Sequence, residues 1–335
     1  MKSLRKILLI ILALALFITP LSACSLGASH PNEDLYDSIN QGISYTVNFN
    51  FNNGDKAQSV KVGSGKKVNK PTNPTKENSV FIGWYLDEAL TKEYDFSLGV
   101  TKDINLYAKY LLDYASLTNR ITLEIMKSTV TVIVDSYGVG VRNNKTGSGI
   151  IIKEDYNFYY ALTNNHVAII AEGCSVVSYN VEDYKGQLYD AKCVYRDSDY
   201  DLAIIRFIKG TNALGVIEMA DKDISVGEEI ASLGQPEQQN NAITYGKVTG
   251  YVEAPRFYTT EKDEFGNDIT VEIDESISNV RFDVIEHTSY INSGSSGGAL
   301  IDENLKLVGI NYSGSGGNSS YAIPISRVKE FISFY

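Results

Sequence analysis

Apolar and polar positions divide the chain into stretches of different rhythm. Ile7 to Phe17 is apolar without a break, whereas Ser25 to Gly42, with Pro31, Asn32, Glu33 and Asp34, has no apolar period and reads as a flexible stalk. From Tyr45 the pattern alternates: Tyr45, Val47, Phe49 and Phe51 are separated by Thr46, Asn48 and Asn50, the period of a half-buried strand. Asn52-Asn53-Gly54-Asp55 tolerates positive φ and predicts a turn into a second strand over Ser59–Val62. Pro71 and Pro74 bracket a loop, and Phe81–Tyr85, Tyr94–Phe96 and Leu106–Tyr110 are further short aromatic segments. A helix is predicted over Leu117–Lys127. Beyond it β-branched runs dominate at Val130–Val134, Ile150–Ile152, Val176–Tyr179, Leu202–Phe207 and Leu307–Ile310. Many short strands joined by glycine-containing turns argue for a mainly β fold, a sandwich or a barrel.

Composition narrows the functional classes. A chain of 335 residues that is 43% hydrophobic and 11% aromatic is too apolar for a disordered protein and long enough for two or three domains. Its net charge of -11 argues against nucleic acid as a partner, since phosphate binding needs clustered Lys and Arg. Three cysteines exclude a disulfide scaffold, and no C-x-x-C pair or H-E-x-x-H helix offers metal-ligand spacing, so neither a metal nor another cofactor is predicted. Cys174 and Cys193 read as a pair or as two small buried thiols. With only three histidines, histidine chemistry is easy to locate.

The first segment is an address. Lys2, Arg5 and Lys6 precede the apolar run, which at 11 residues is shorter than the roughly 20 a membrane-spanning helix needs, so it reads as the core of a secretion signal. Leu21-Ser22-Ala23-Cys24 resembles the lipobox of bacterial lipoproteins. That resemblance implies cleavage before Cys24 and a lipid on it. Acyl chains contribute about 0.8 kcal/mol per buried CH₂, and the protein would be held on the outer face of the cytoplasmic membrane. The alternative is an ordinary cleaved signal with Cys24 incidental. His30, in the stalk, reads as a solvated linker residue.

Residues 45–110 resemble one internalin-type B repeat. The Asn53-Gly54 turn, Lys70-Pro71-Thr72-Asn73-Pro74-Thr75, Phe81-Ile82-Gly83-Trp84-Tyr85, Tyr94-Asp95-Phe96 and Leu106-Tyr107-Ala108-Lys109-Tyr110 carry the likeness. Asn78-Ser79-Val80 departs from the usual Gly-aromatic pair, and Tyr110 replaces a tryptophan. The family implies a compact β-grasp-like unit of extracellular bacterial proteins, acting as a spacer or as an adhesive module with a cell-surface ligand. A single copy is found. Trp84 reads as a core aromatic rather than a binding anchor, because so small a domain needs its large side chains inside.

The chemistry lies in the last two-thirds. Thr163-Asn164-Asn165-His166-Val167, Asp199-Tyr200-Asp201-Leu202-Ala203 and Asn292-Ser293-Gly294-Ser295-Ser296-Gly297-Gly298-Ala299-Leu300 follow one another in the order His, Asp, Ser. That is the order of chymotrypsin and not of subtilisins or α/β-hydrolases. A serine hydroxyl becomes a useful nucleophile when an imidazole takes its proton, and a carboxylate behind the ring sets the tautomer. His166 fits the base. Asp201 enters a strand just before the apolar Leu202-Ala203-Ile204-Ile205 and is preferred over Asp197 and Asp199 in the preceding polar loop. Ser296 sits among glycines that let the backbone turn sharply.

With Val308-Gly309-Ile310-Asn311 and Tyr321-Ala322-Ile323-Pro324-Ile325, these motifs make the stretch from about Leu117 to Tyr335 resemble the HtrA/Deg group of trypsin-like serine proteases. The resemblance implies a chymotrypsin-like double β-barrel, polypeptide substrates, a catalytic set of His166, Asp201 and Ser296, and oxyanion donors at the N–H groups of Gly294 and Ser296. Tyr290, Ile291, Asn292, Asn311, Tyr312 and Ser313 should line the primary pocket. Family members usually continue into PDZ domains, which are not expected here. Ser293 and Ser295 replace the common Pro and Asn of the nucleophile loop, and Ser295 is not the aspartate that trypsins pair with a new N-terminus. The expected boundaries are thus a signal peptide over 1–23, a stalk over 24–44, the repeat-like module over 45–110 and the protease domain over 111–335.

Two readings of function follow, a surface-tethered serine endopeptidase or a surface adhesion protein with an inactive protease scaffold. His287 reads as a hydrogen-bonded loop residue, or as one touching the substrate pocket. Glu253 to Glu275, rich in acids and turning at Phe265-Gly266-Asn267-Asp268, predicts a solvated hairpin inserted in the second barrel. The soluble form is expected to be a monomer, with module and protease moving partly independently.

Overall fold

In the computed structural model of the chain the described residues are 42–234, 242–256, 258–262, 265–272, 274–314 and 319–335. The expected signal peptide, Cys24, His30 and nearly all of the expected stalk lie outside them. The described residues form two compact units, one of residues 42–74 with Phe81–Lys109 and the other of Thr75–Val80 with Tyr110–Tyr335.

The alternating segment at the start is β1 (Ser44–Asn50), followed by β2 (Gln58–Gly63), β3 (Ser79–Tyr85) and β4 (Ile104–Leu112), in one sheet of order β2-β1-β4-β3. Val47 and Phe49, the inward residues of β1, are buried. Asn52 at φ 51° and Gly54 at φ 92° make the predicted turn. Trp84 is 1% exposed and meets Phe49, Phe51 and Phe81 edge-on at 4.9, 5.6 and 5.7 Å, so it is a core residue. Tyr94–Phe96 forms no strand, because the Asp95 carboxylate accepts the Ser97 N–H and bends the chain there.

The first helix of the second unit is α1 (Tyr114–Arg120). The predicted helix begins earlier than its apolar pattern, since the Asp113 side chain accepts the N–H groups of Ala115 and Ser116 and caps it there. It continues as a wider turn over Ile121–Ile125 and a tight one over Met126–Ser128. Then come β5 (Thr129–Gly138), β6 (Val141–Glu154), β7 (Phe158–Thr163), the single-turn α2 (Asn165–Ala168), β8 (Val176–Asp183), β9 (Leu188–Asp197) and β10 (Leu202–Ile208). These strands close a barrel in the order β10-β7-β6-β5-β8-β9. After them lie β11 (Glu229–Gly234), β12 (Ala242–Glu253), β13 (Tyr258–Lys262), β14 (Asp268–Glu272), β15 (Asp283–His287), β16 (Ala299–Asp302), β17 (Leu307–Gly314), β18 (Ser320–Pro324) and α3 (Ile325–Ser333). A second barrel closes as β11-β12-β15-β18-β17-β16, and among the described residues β13 and β14 pair only with each other, as the predicted inserted hairpin. The unit is a chymotrypsin-like double β-barrel.

Three buried clusters explain the sequence pattern. Val132, Ile151, Ala203, Ile205 and Phe207 fill the first barrel, and Ile230, Val248, Ile285, Leu300 and Val308 fill the second. Leu162, Leu202, Ile204, Leu233, Ile310 and Phe331 join a third cluster that also takes in α1 and α3. Strand β10 therefore buries both faces, Ala203, Ile205 and Phe207 on one and Leu202 and Ile204 on the other, which is why its sequence is continuously apolar.

Candidate active site

Three loops carry the predicted residues. His166 lies in α2 directly after β7, Asp201 directly before β10, and Ser296 in the turn before β16. Asp201 is completely buried and held at φ 47°, a conformation costly for a residue with a Cβ. Its Oδ1 accepts the backbone N–H of His166 at 2.8 Å, and its Oδ2 lies 2.6 Å from His166 Nδ1. Its carbonyl accepts the Asn164 amide at 3.0 Å. The imidazole itself is 22% exposed. One end of the ring is thus fixed on a buried carboxylate while the side chain still reaches the surface.

Strand β6 carries the Ser296 loop to the same place. Ser148 donates its backbone N–H to the carbonyl of Ser296 at 2.8 Å and its hydroxyl to the carbonyl of Gly294 at 2.7 Å. A Cβ on Gly147 would stand 2.7 Å from Val167 and 3.2 Å from the Ser296 carbonyl, so the loop approaches the residue after His166 across one glycine. Gly294 at φ 93° and Gly297 at φ 83° adopt a backbone that L side chains avoid. A Cβ on Gly297 would be 2.3 Å from both the Ser148 carbonyl and Thr163 Oγ1, and one on Gly298 2.1 Å from the Leu233 carbonyl. Both glycines are therefore required by close approach. The Gly297 and Gly298 N–H groups are taken by the carbonyls of Asn311 and Ser295, whereas those of Gly294 and Ser296 bond to none of the described residues.

The pocket residues divide. Tyr290 is exposed, Ile291 buried, and Asn292 turns its Oδ1 onto the Ser293 N–H at 2.8 Å. Ile291 meets the end of β17, where a Cβ on Gly314 would be 2.7 Å from its carbonyl, and Ser313, the residue before Gly314, is half-buried. Asn311 and Tyr312 do not offer their side chains. Asn311 is fully buried, with its Oδ1 3.3 Å from Ser232 Oγ and its amide 3.4 Å from the Leu233 carbonyl. Tyr312 is turned inward, its hydroxyl 3.3 Å from Ser278 Oγ and 3.3 Å from the Pro255 carbonyl. Burial pushes that hydroxyl's pKa up, and the charge of Asp201 acts in the same direction.

Sequence reasoning missed Gly147, Ser148 and Asn164, although small and hydroxyl residues at Gly147-Ser148-Gly149 in a β-branched strand are a visible sign of close backbone approach. It also missed Lys145, whose Nζ lies 3.4 Å from the His166 carbonyl and whose pKa is lowered by burial. His287 departs from expectation. It lies in β15 on the same face as Ile285, and neither ring nitrogen has a hydrogen-bond partner among the described residues. Burial depresses its pKa to about 4, partly offset by the backbone of Ser289. Cys174 and Cys193 are separate free thiols, and burial raises the pKa of Cys193. Among the described residues no three His, Cys, Asp or Glu side chains converge as a metal site would require.

Residues 147–310 match the trypsin-like peptidase domain, and residues 45–109 match the Listeria-Bacteroides repeat domain. The chain is 31% identical over 192 residues to Serine protease Do-like HtrB of Bacillus subtilis, covering 55% of this chain and 37% of that protein. It is 32% identical over 193 residues to Periplasmic serine endoprotease DegP of Escherichia coli K12, covering 56% of this chain and 35% of that protein. The match therefore spans little more than a third of these relatives. A crystal structure of the active form of Rv3671c protease from M. tuberculosis is similar over 65% of this chain and 85% of its own, with 20% identity and a TM-score of 0.47.

Proposed function

We propose that the protein is a serine endopeptidase of exposed or unfolded polypeptide, secreted and held by a lipid on Cys24 at the outer face of the cytoplasmic membrane. The observation that carries the catalytic reading is the double contact of Asp201 with His166, made beside a serine loop built on obligatory glycines. With Nδ1–H held by Asp201, the ring's Nε2 is free of its proton and acts as general base toward Ser296 Oγ. The serine oxygen attacks the peptide carbonyl. The resulting oxyanion is taken by the Gly294 and Ser296 N–H groups, each such donor worth about 2.7–4 kcal/mol in the transition state. The imidazolium, stabilised by Asp201, passes its proton to the leaving amine. Water then repeats the sequence on the acyl-enzyme.

The names of the relatives, serine proteases and a periplasmic endoprotease, support both the chemistry and an extracytoplasmic place. The module over 45–110 serves as spacer or ligand-binding arm, and residues 111–335 carry the catalysis. A fluorophosphonate probe tests this on purified protein. The expected result is one adduct on Ser296, absent from Ser296→Ala. A folded protein that takes no label would return the binding-protein reading.

A further inference from the structure

Between β14 and β15 the chain passes through residues 274–281, which cross the two first-barrel loops that carry His166 and Asp201. Asn165, next to His166, is fully buried. Its amide nitrogen donates to the carbonyls of Ser276 at 3.0 Å and Ile277 at 2.8 Å, and its oxygen accepts from Arg196 Nη1 at 3.0 Å. Asn279 makes a matching attachment to the other loop. Its backbone N–H donates to the Ser198 carbonyl at 2.8 Å and its amide to Asp199 Oδ1 at 2.8 Å. Between these two points Ser278 Oγ lies 3.3 Å from the Tyr312 hydroxyl of the second barrel.

We infer that residues 276–279 form a strap that holds the His166 and Asp201 loops in place on the second barrel, with Asn165 and Asn279 as positioning residues for catalysis. The inference rests on the endopeptidase reading. A helix as short as α2, four residues, cannot hold its own geometry, and a non-glycine residue at positive φ persists only where its surroundings enforce it. His166 and Asp201 are those two cases. The Ser296 loop belongs to the second barrel, so alignment of the three groups needs a connection between barrels near the site, and the strap supplies one at each loop. If Asn165 only filled space, an apolar side chain would serve. As it stands, its removal leaves two strap carbonyls and a guanidinium without their partner.

The full chain carrying Asn165→Ala, Asn279→Ala or both tests the inference through fluorophosphonate labelling rate, kcat and KM on a peptide, and the melting temperature. Each single variant should label at least 10-fold more slowly, with kcat down by roughly 10–100-fold and KM within about twofold, the size of effect expected from a misplacement near 1 Å. The double variant should lose little more than Asn165→Ala alone, since both act through one strap. Wild-type rates in the folded variants would overturn the inference, as would a loss that appears only in KM or only in the melting temperature. Should Asn165→Ala fail to fold, the half-buried Asn279→Ala decides the matter by the same readouts. A wild type that takes no label would overturn the endopeptidase reading and the positioning role with it.

Discussion

The carboxylate of Asp201 grips His166 twice, Oδ1 on the backbone N–H at 2.8 Å and Oδ2 on the ring Nδ1 at 2.6 Å. One bond places the residue and the other sets the tautomer of its ring. An amide at position 201 could keep the shape, but would present a donor where Nδ1–H needs an acceptor. Asp201→Asn is therefore expected to lower turnover by about 10⁴. Asp197→Asn, whose amide oxygen can still accept the Asp199 N–H at 2.9 Å, should stay within a few-fold of wild type. Initial rates on a fluorogenic peptide separate the two, and equal rates for Asp201→Asn and wild type would remove Asp201 from the catalytic set.

Two glycines with the same φ of 83° give a controlled comparison. At Gly266, in the hairpin turn, a Cβ would have nothing within 4 Å, so Gly266→Ala should cost no more than the left-handed backbone, about 1–2 kcal/mol. At Gly297 the added carbon overlaps a carbonyl and a hydroxyl, so Gly297→Ala should cost clearly more and abolish labelling of Ser296. Urea midpoints measure both. Similar midpoints would mean that the loop relaxes around the new atom.

Acid should destabilise the protein through His287. Its native pKa of about 4 lies below the 6.5 of an exposed imidazole, so between those values the unfolded chain binds a proton that the folded chain refuses. Stability from this group is complete above about pH 6.5 and falls by roughly 3 kcal/mol as pH drops toward 4. His287→Leu should flatten that portion of the stability curve. An identical slope in the variant, by urea titration at each pH, would assign the loss elsewhere.

Peptide libraries should show cleavage after small or medium apolar residues. Ile291 lies against Gly314, the residue after Ser313, and neither Ile291 nor Ser313 carries a charge, whereas selection of Lys or Arg needs a buried carboxylate to pair with the cation. Cleavage confined to basic residues would show this pocket to be wrongly placed.

Much of this protein is legible from residue spacing because the rules involved are local. The two-residue period of Tyr45, Val47 and Phe49, the turn at Asn52 and Gly54 and the apolar run after Asp201 report strand, turn and buried strand directly, since each depends on backbone geometry over a few residues. The order of His166, Asp201 and Ser296 is likewise written along the chain. Chain order does not say which way a side chain turns. Asn311 and Tyr312 sit at the expected place beside the nucleophile loop, yet both side chains are buried, Asn311 against Ser232 and Tyr312 against the Pro255 carbonyl, where the pairing of β17 with β18 shifts register.

What the sequence by itself determined is therefore the set of elements, their barrel-forming rhythm and the residues able to do the chemistry. Closure of the two barrels decided the rest. Asn165 and Ser276 are 111 residues apart, Ser148 and Gly294 146 apart, and no period or propensity relates such positions. Their contacts exist only once strands from different parts of the chain have closed, which is also when His287 loses its water and Gly297 loses any room for a side chain.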